Sequence, residues 1–543
     1  MTRLGTSFPE DFNPPFAHRI IGSYVYSNPN GAEIMLIATE NEDYVWACQF
    51  GKDPFKVNID ATLPDPTTGI NSVMFVQAFD KVLLLRLGNI PRLEWDGTGD
   101  TNGDGIAESE FKAVVKSDEG IEVIPNAAQG TTFANRILFY FDYNPGMPWR
   151  DQFIMTDVLD YSSYDPVLAV FRVNAGEAGS ITSIVPYFRG SVVVFKSKST
   201  HMVENFTIDP FQATQRMLNN RIGSVGAQGP IQVGHDLIFL SKPDGYYRLS
   251  QIVQEDISTQ PVPISRPIQP IIDRLAWDLA DFFACSAALG DYVYFAVPWR
   301  DHPGGFGCNA ILVYNSVTDQ WESAPDWWDD PTFLINRLLV TLYDGGPRLF
   351  ALDYTARRVS LLYDGVEDNI NGQTRAVRDL IETRGYVAGN PAGFKRFERA
   401  IVGIKTVNPA AVVTAISDGF NEEKELFTIT KDQSKFYIHG HPPYDGSSQR
   451  EAKREDYAVI NPFDPNVSTE DFENLPVGPI DHIPPAPGVI PDTVEKQQSL
   501  ERFQIRQNGR WCSLRIENTQ GQCDVLGVAV DAIPAQEGTS VVA

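Results

Sequence analysis

The stretch that decides the fold begins ITSIVPYFRGSVVVFK at residues 181–196 and ends GPIQVGHDLIFLSKPDGYYRLS at residues 229–250. It contains two units of one design, each with an apolar strand, a tight polar turn and a second apolar strand. Apolar runs of four or five residues, rich in β-branched and aromatic side chains and bounded by turn residues, are typical of buried strands. The two units therefore predict two successive β-hairpins.

The same unit recurs before and after this pair, at intervals of about 40 to 60 residues and with weak identity between copies. The sixth copy ends like a kelch-type blade, with Tyr314, Thr318 and Trp321 in the order that a strand, a tight turn and a strand require. Repeats of this length, built from short strands, indicate the blades of a β-propeller. We predict an all-β protein whose residues 23–365 form six or seven blades.

The chain changes character on both sides of the predicted propeller. Residues 1–22 are polar and proline-bearing, and they are predicted to form an extended N-terminal arm. Residues 366–380 are predicted to be a linker, and the alternating strands of 381–543 favour a C-terminal β-sandwich. Residues 440–492 hold ten prolines and little periodicity, so they are interpreted as a long loop inserted into the sandwich.

The charge balance limits the classes of partner. The chain carries a formal net charge of −26, which disfavours a surface that grips nucleic-acid phosphates. The N-terminus has no apolar segment of the signal-peptide kind. Apolar runs are shorter than the roughly 20 residues of a membrane helix. We therefore expect a soluble protein, made in the cytoplasm without membrane insertion, with its five cysteines reduced and buried.

One acidic segment resembles the opening half of a calcium loop. Oxygen-bearing residues alternate along DTNGDGIAE, and a glycine follows for the sharp turn. Phe111 stands where an EF-hand loop has its bidentate glutamate. The other interpretation is an ordinary acidic turn between strands, since Asp, Asn and Gly are common in turns. The candidate calcium ligands are Asp100, Asn102, Asp104, Ile106 and Glu108, and no other cofactor is predicted.

Tryptophans mark the end of the sixth unit. Trp321, Trp327 and Trp328 are predicted to fill a seam between blades or subunits, or to line a ligand site. Aromatic residues beside carboxylates also occur in sugar-binding and glycosidase sites, so Asp329 and Asp330 are the candidate acids of a propeller hydrolase or lyase. No nucleophile elbow, phosphate-binding glycine loop or metalloprotease helix is present in the sequence. The motifs therefore favour a protein that is not an enzyme.

A second metal candidate lies near the start of the inserted loop. His439 and His441 are two residues apart, and Asp445 follows a Pro-Pro turn. Two imidazoles and a carboxylate could bind zinc. Exposed loop histidines are the simpler interpretation, because no further ligand is evident.

The stretch 135–273 resembles the propeller-containing tail proteins of tailed bacteriophages, of the nozzle or DNA-stabilisation type. The resemblance rests on ILFYF after Asn135-Arg136, FIMTDVLDYSSYDP, the two units quoted first, and ISRPIQPIID at residues 264–273. LRLGNIPRLEWDG and the terminal GRWCSLRIENTQG are similar to these proteins too. The likeness is one of sequence style over about three quarters of the chain, and residues 440–492 are not part of it.

The resemblance implies a structural protein of the virion tail. Such proteins form rings of identical subunits, here expected to be a homo-hexamer, below the tail adaptor ring, and they support tail fibres or spikes. They extend the DNA ejection channel and help to retain the packaged genomic DNA, which passes through without specific binding. The alternative is a propeller binding module in which the propeller or the 440–492 loop recognises a host surface glycan or protein.

Overall fold

The structure is a computed structural model of the 543-residue chain. It describes residues 6–60, 72–86, 91–116, 120–127, 129–140, 150–174, 179–207, 212–226, 228–254, 261–299, 307–323, 334–354, 357–364, 367–370, 373–376, 379–382, 386–387, 395–407, 411–417, 420–429, 497–509, 511–518 and 522–534. The chain divides into two compact units. One is formed by Ser7–Tyr363, and the other by Met1–Thr6 with Asp364–Ala543.

The unit Ser7–Tyr363 is a β-propeller of seven blades. Each blade is an antiparallel meander. Blade one consists of Ile20–Ser27, Glu33–Thr39, Tyr44–Cys48 and Phe55–Asn58, and blade two of Val73–Ala78, Lys81–Arg86, Leu93–Trp95 and Lys112–Ala113. Blade three consists of Gln129–Phe133, Arg136–Tyr140, Gln152–Met155 and Val170–Arg172, and blade four of Ile181–Tyr187, Ser191–Lys196, Thr200–Glu204 and Thr214–Asn219. Blade five consists of Ile231–Val233, Asp236–Ser241 and Gly245–Arg248. Blade six consists of Cys285–Leu289, Tyr292–Val297, Ala310–Asn315 and Gln320–Ser323. Blade seven consists of Ile335–Tyr343, Gly346–Asp353 and Arg358–Leu362.

Smaller elements connect the blades. Glu122–Val123 pairs with Ser163–Tyr164 as a two-stranded sheet. The α-helices are Leu249–Gln254, Gln269–Ile272 and Trp277–Phe283, and the 3₁₀ turns are Glu10–Phe12, Phe188–Gly190 and Arg266–Ile268. Among the described residues, no helix is long and apolar enough to span a membrane.

The strands in the middle of each blade have continuous apolar sequences because both faces of these strands are buried. Successive side chains of a strand point to opposite faces of the sheet. In the fourth blade, Val192 and Val194 pack into the core shared with blade three. Val193 and Phe195 pack into the core shared with blade five. All four side chains are fully buried, so the hydrophobic core of this unit lies in the seams between blades.

The ring closes between blade seven and blade one. The Glu33 carboxylate accepts hydrogen bonds from the Thr341 hydroxyl at 2.9 Å and from the Leu342 N–H at 2.8 Å. The Asn336 amide donates to the carbonyl of Ile20 at 2.6 Å. Apolar side chains of both blades fill one core cluster beneath these bonds. Closure therefore combines buried apolar area with specific hydrogen bonds.

The predicted N-terminal arm, residues 1–22, includes residues that pack into the propeller. Phe12 is 1% exposed and lies in the core between blades seven and one. The Asn13 side chain exchanges two hydrogen bonds with the backbone of Val359, at 2.7 and 2.9 Å. The first blade begins at Ile20, within the stretch assigned to the arm. Residues 8–19 thus pack along the seventh blade; we call them the N-terminal clasp.

Ile268, Ile271, Ile272, Leu275 and Leu279 fall at helical spacing in the sequence, but the helix that this pattern predicts is interrupted in the structure. Helices occur at Gln269–Ile272 and Trp277–Phe283, and the residues between them are not helical. Leu275 forms an isolated bridge with Trp299, and the Ala276 N–H donates to the carbonyl of Pro298 at 3.0 Å. These bonds to the sixth blade replace the bonds that would have continued one helix.

The unit Met1–Thr6 with Asp364–Ala543 contains two sheets that form the predicted β-sandwich. Phe397 of the three-stranded sheet and Val413, Leu514 and Ile516 of the four-stranded sheet are buried. Part of the predicted linker 366–380 is a hairpin. The inserted loop 440–492 lies outside the described residues. The strands of this unit are the pair Glu367–Ile370 and Gln373–Ala376, the sheet Asp379–Glu382, Cys512–Asn518, Ala411–Ser417 and Phe420–Ile429, and the sheet Gln497–Gly509, Lys395–Val407 and Gln522–Pro534. The short strand Thr6–Ser7 contributes Thr6, which pairs with Asp368 in parallel.

Candidate functional site

The predicted calcium segment connects the third and fourth strands of blade two. The Asp100 carboxylate accepts the N–H groups of Gly103 at 2.6 Å and Gly105 at 2.8 Å. Asn102 accepts the N–H of Asp104 at 2.8 Å, and Asp104 accepts that of Ile106 at 2.9 Å. These are the local side-chain-to-backbone bonds of Asx turns. The geometry is therefore that of a self-bonded acidic turn.

The electrostatics of this turn follow from the same bonds. Burial opposes ionisation of Asp100, but the N–H donors of Gly105 and Gly103 outweigh it and lower the pKa of this carboxyl. The Glu108 carboxylate accepts from the Thr101 hydroxyl at 2.9 Å. Over the described part of the chain, no three His, Cys, Asp or Glu side chains are grouped in a way that could hold a metal ion. Calcium binding here stays a prediction.

Trp321 lies in the seam between blades five and six. Its indole N–H donates to the carbonyl of Ile264 at 2.9 Å. Its ring packs against Tyr246 of blade five and against Phe295 and Tyr314 of its own blade, with ring centroids 5.0 to 5.8 Å apart. A buried indole usually needs such a partner for its N–H. Trp321 thus lies between two blades, and its role at a subunit interface or a ligand site stays a prediction.

The neighbouring turn has the kelch-like form that the sequence indicates. The Asn315 side-chain oxygen accepts the N–H groups of Val317 at 3.0 Å and Thr318 at 3.1 Å. Asp319 has a φ of +57°, a left-handed conformation that Asp tolerates better than most residues.

The other predicted site residues lie outside the described part of the chain. They are Trp327 and Trp328 with Asp329 and Asp330, and His439, His441 and Asp445. Their roles stay predictions.

A cleft of about 460 Å³ opens between blades five and six, beside the Trp321 seam. Its walls come from the first hairpin turn of each blade and from the end of the third strand of blade five. Clefts of this size fall within the range of small-ligand sites. It is lined by Val233, Gly234, Asp236, Ile238, Arg248, Gly290, Asp291 and Ser316.

Arg248 is the one basic side chain among the cleft-lining residues, and a network holds it in place. Its guanidinium donates to the Tyr314 hydroxyl and lies 3.3 Å from the Asp319 carboxylate. The Tyr314 hydroxyl donates in turn to Asp319. Burial, together with the hydrogen bond to Asp319, raises the pKa of Tyr314, although Arg248 opposes the shift. The network fixes the guanidinium plane at the wall of the cleft.

Carboxylates dominate the rest of the polar lining. Asp236 is held by the Ser250 N–H at 3.0 Å and by the Ser250 hydroxyl. Asp291 lies on the exposed rim. The carboxylates of Asp236, Asp291 and Asp319 outnumber the single guanidinium of Arg248, so the region carries more negative than positive charge. A neutral polyhydroxyl group or a cationic group suits this balance better than an anion.

The rim also carries exposed apolar side chains. Val317 is 72% exposed and follows Ser316. Phe188 is 54% exposed and packs edge-on against His235, with centroids 6.0 Å apart. His235 follows Gly234 of the cleft. The sequence predicts the hairpin turn of this unit at His235-Asp236, and the structure has it at Gly234-His235. Sequence reasoning missed the cleft, because residues of two blades form it.

Several solved structures are similar to this chain at low sequence identity. No protein-family model matches the chain, and no curated protein matches it. Virginiamycin B lyase from Staphylococcus aureus is similar at 9% identity, over 66% of this chain and 99% of that one, with a TM-score of 0.36. YCF48 from Cyanidioschyzon merolae is similar at 11% identity, over 64% and 97% of the two chains, with a TM-score of 0.35. PorZ, a surface component of the type-IX secretion system of Porphyromonas gingivalis, shows 9% identity over 75% and 64%, with a TM-score of 0.31.

These values carry no argument about activity. The assignment of a seven-bladed β-propeller rests on the sheet order of the chain itself. The fold is compatible with a propeller binding module.

Proposed function

We propose that this protein is a structural subunit of a bacteriophage tail, in which identical copies form a ring around the DNA path. In this role it performs no chemistry. It extends the ejection channel, helps to retain packaged DNA, and carries contacts to an adaptor ring and to fibres or spikes. The sequence resemblance over residues 135–273 motivates the proposal.

The closure of the propeller is the observation that best supports a structural role. The Glu33 bonds to the seventh blade and the Asn13 bonds to Val359 join the first and last blades of the unit Ser7–Tyr363. A closed ring of blades leaves few free sheet edges, and its cores lie in seams on every side. Such a unit suits a wall that must keep its shape under pressure.

The charge balance supports the same role. The chain has 44 basic and 70 acidic residues. Phosphate binding by proteins depends on lysine and arginine that release counterions. An acidic wall lets DNA slide past without holding it.

Single-particle imaging of the native assembly that contains this chain tests the proposal. We expect a closed ring of six copies at the end of a tail, with an axial channel that admits duplex DNA. A propeller carried singly on a fibre, or a particle without a channel, would refute the conduit role. As a second readout, the purified protein should not retard duplex DNA in a gel at low salt, where nonspecific binding is strongest.

The cleft between blades five and six favours a second candidate, a binding module for a glycan or protein at the host surface. Its fixed guanidinium, its carboxylates and its apolar rim are the kinds of group that recognise polar ligands. A glycan array probed with the whole protein and with an Asp291→Asn variant tests this candidate. Binding that the variant loses supports it, and equal signals from both proteins contradict it. A matched control is Asp344→Asn, on the exposed turn of blade seven.

A further inference from the structure

Two glycines keep the cleft between blades five and six open. Gly234 and Gly290 lie in the first hairpin turns of these blades, with φ of +59° and +60°, and both line the cleft. A Cβ atom added at either glycine would meet no atom within 4 Å. The Arg248 side chain in the cleft wall is 24% exposed, so a ligand can reach it.

Arg248 has hydrogen-bond donors that the protein does not use. Its Nη2 donates to the Tyr314 hydroxyl and lies 3.3 Å from the Asp319 carboxylate. Its guanidinium also lies over the Tyr314 ring, 5.5 Å from the centroid. In the described part of the chain, the Nε and Nη1 groups make no hydrogen bond. A guanidinium has five N–H donors in one plane, so those of Nε and Nη1 are available to a ligand in a fixed orientation.

Asp291 provides an acceptor on the wall that blade six contributes. Its carbonyl accepts the Ser316 N–H at 2.9 Å and the Ser316 hydroxyl at 2.8 Å, so its backbone is held in place. Its carboxylate has no hydrogen-bond or ion-pair partner among the described residues. Asp236 differs, because its carboxylate is already bonded to Ser250. The carboxylate that is available to a ligand is therefore that of Asp291.

We propose that the cleft binds a neutral hexose through two adjacent hydroxyl groups, which bridge the Arg248 guanidinium and the Asp291 carboxylate. A hydroxyl both accepts and donates a hydrogen bond, so it can accept from the guanidinium and donate to the carboxylate. An anionic sugar would be repelled by the carboxylates of the cleft, and a cationic one by Arg248. The half-buried Val233 adds an apolar surface for the C–H face of the ring.

This inference rests on the second candidate function, the binding module, and specifies its ligand class and the two residues that bind the ligand. It does not depend on the tail role. The two conclusions can fail separately. An acidic or amino glycan that the Asp291→Asn variant no longer binds would leave the binding module standing and overturn the hexose assignment. Equal array signals from wild type and variant would contradict the module itself.

Titration of the full-length protein with methyl hexosides, followed by ligand-observed NMR, tests the proposal. The probes are neutral hexosides, their monodeoxy derivatives, and the matching uronate and amino sugar. We expect a neutral hexoside to bind, and the loss of either of two adjacent hydroxyls to weaken binding by about tenfold or more. Arg248→Lys and Asp291→Asn should weaken it similarly, and Asp344→Asn should not change it. Preference for the uronate or the amino sugar, or no binding of any neutral hexoside, overturns the proposal.

A second variant tests the location without touching the charged groups, because Arg248→Lys also alters the seam. Gly290→Asn places a side chain at the cleft, and asparagine tolerates the left-handed conformation of this turn better than most residues. It should abolish hexoside binding and leave the melting temperature unchanged. The matched control is Gly345→Asn in the first hairpin turn of blade seven, where φ is +77° and a Cβ atom also meets nothing within 4 Å. Unchanged binding by Gly290→Asn would show that the sugar does not occupy this cleft.

Discussion

The N-terminal clasp should stabilise the seventh blade, and replacement of Asn13 by alanine tests this directly. The Asn13 amide donates to the carbonyl of Val359 at 2.9 Å, and its oxygen accepts the Val359 N–H at 2.7 Å. Val359 is fully buried. The variant leaves one buried donor and one buried acceptor without these bonds, at about 1–3 kcal/mol each. Summed over the two groups, we expect a loss of about 2–6 kcal/mol in the free energy of opening this strand.

Hydrogen exchange followed by mass spectrometry measures that loss on peptides covering residues 357–364. A change of about 2–6 kcal/mol corresponds to about a 30- to 20,000-fold fall in protection. The matched control is Asn30→Ala, because Asn30 is exposed in the first hairpin turn. If both variants change protection equally, or if Asn13→Ala changes none, the clasp does not stabilise the blade and the reasoning fails.

Three further predictions concern the seam, the acid response and the calcium loop. Trp321→Phe removes the hydrogen bond to the Ile264 carbonyl but keeps an aromatic ring. It should lower the free energy of unfolding, measured by denaturant titration, by about 1–3 kcal/mol, and Trp321→Ala should lower it further. The hydrogen bond from Arg19 lowers the pKa of Glu40, so this pair adds stability above the ordinary glutamate pKa and loses it as the pH falls through the lowered value. Wild type should therefore lose more melting temperature on acidification than Arg19→Gln, and parallel pH profiles would contradict this. If the Asp100 segment binds calcium, millimolar calcium but not magnesium should raise the melting temperature, and the rise should vanish in Asp100→Asn.

Local features of the fold were predictable because their causes are local. The turn at Asn315 depends on side-chain bonds to N–H groups two and three residues away. The hairpins of 181–250 depend on apolar runs and turn residues within one short stretch. Both can be recognised in the sequence without knowledge of the rest of the chain.

Features that join distant residues were not predictable from patterns. Asn13 and Val359 are 346 residues apart, and nothing in the composition of the arm indicates that its asparagine completes a strand. The cleft likewise needs Gly234 and Gly290 from the hairpin turns of different blades. The helical spacing at residues 268–279 predicts one continuous helix, but the bond from the Ala276 N–H to the Pro298 carbonyl interrupts it, and only the packed blade supplies that bond.

The fifth blade explains why the cleft lies where it does. Blades one to four and blade six have four strands, but the sheet of blade five ends with its third strand, at Arg248. The chain then enters the helix Leu249–Gln254. Among the described residues no fourth strand pairs with this sheet, and the carbonyl of Ile264, in the connection after this helix, accepts the Trp321 hydrogen bond in the seam. Arg248 is therefore the last residue of the last strand in this three-stranded sheet, and it lies beside blade six. From this position its side chain can contact both the seam and a ligand in the cleft.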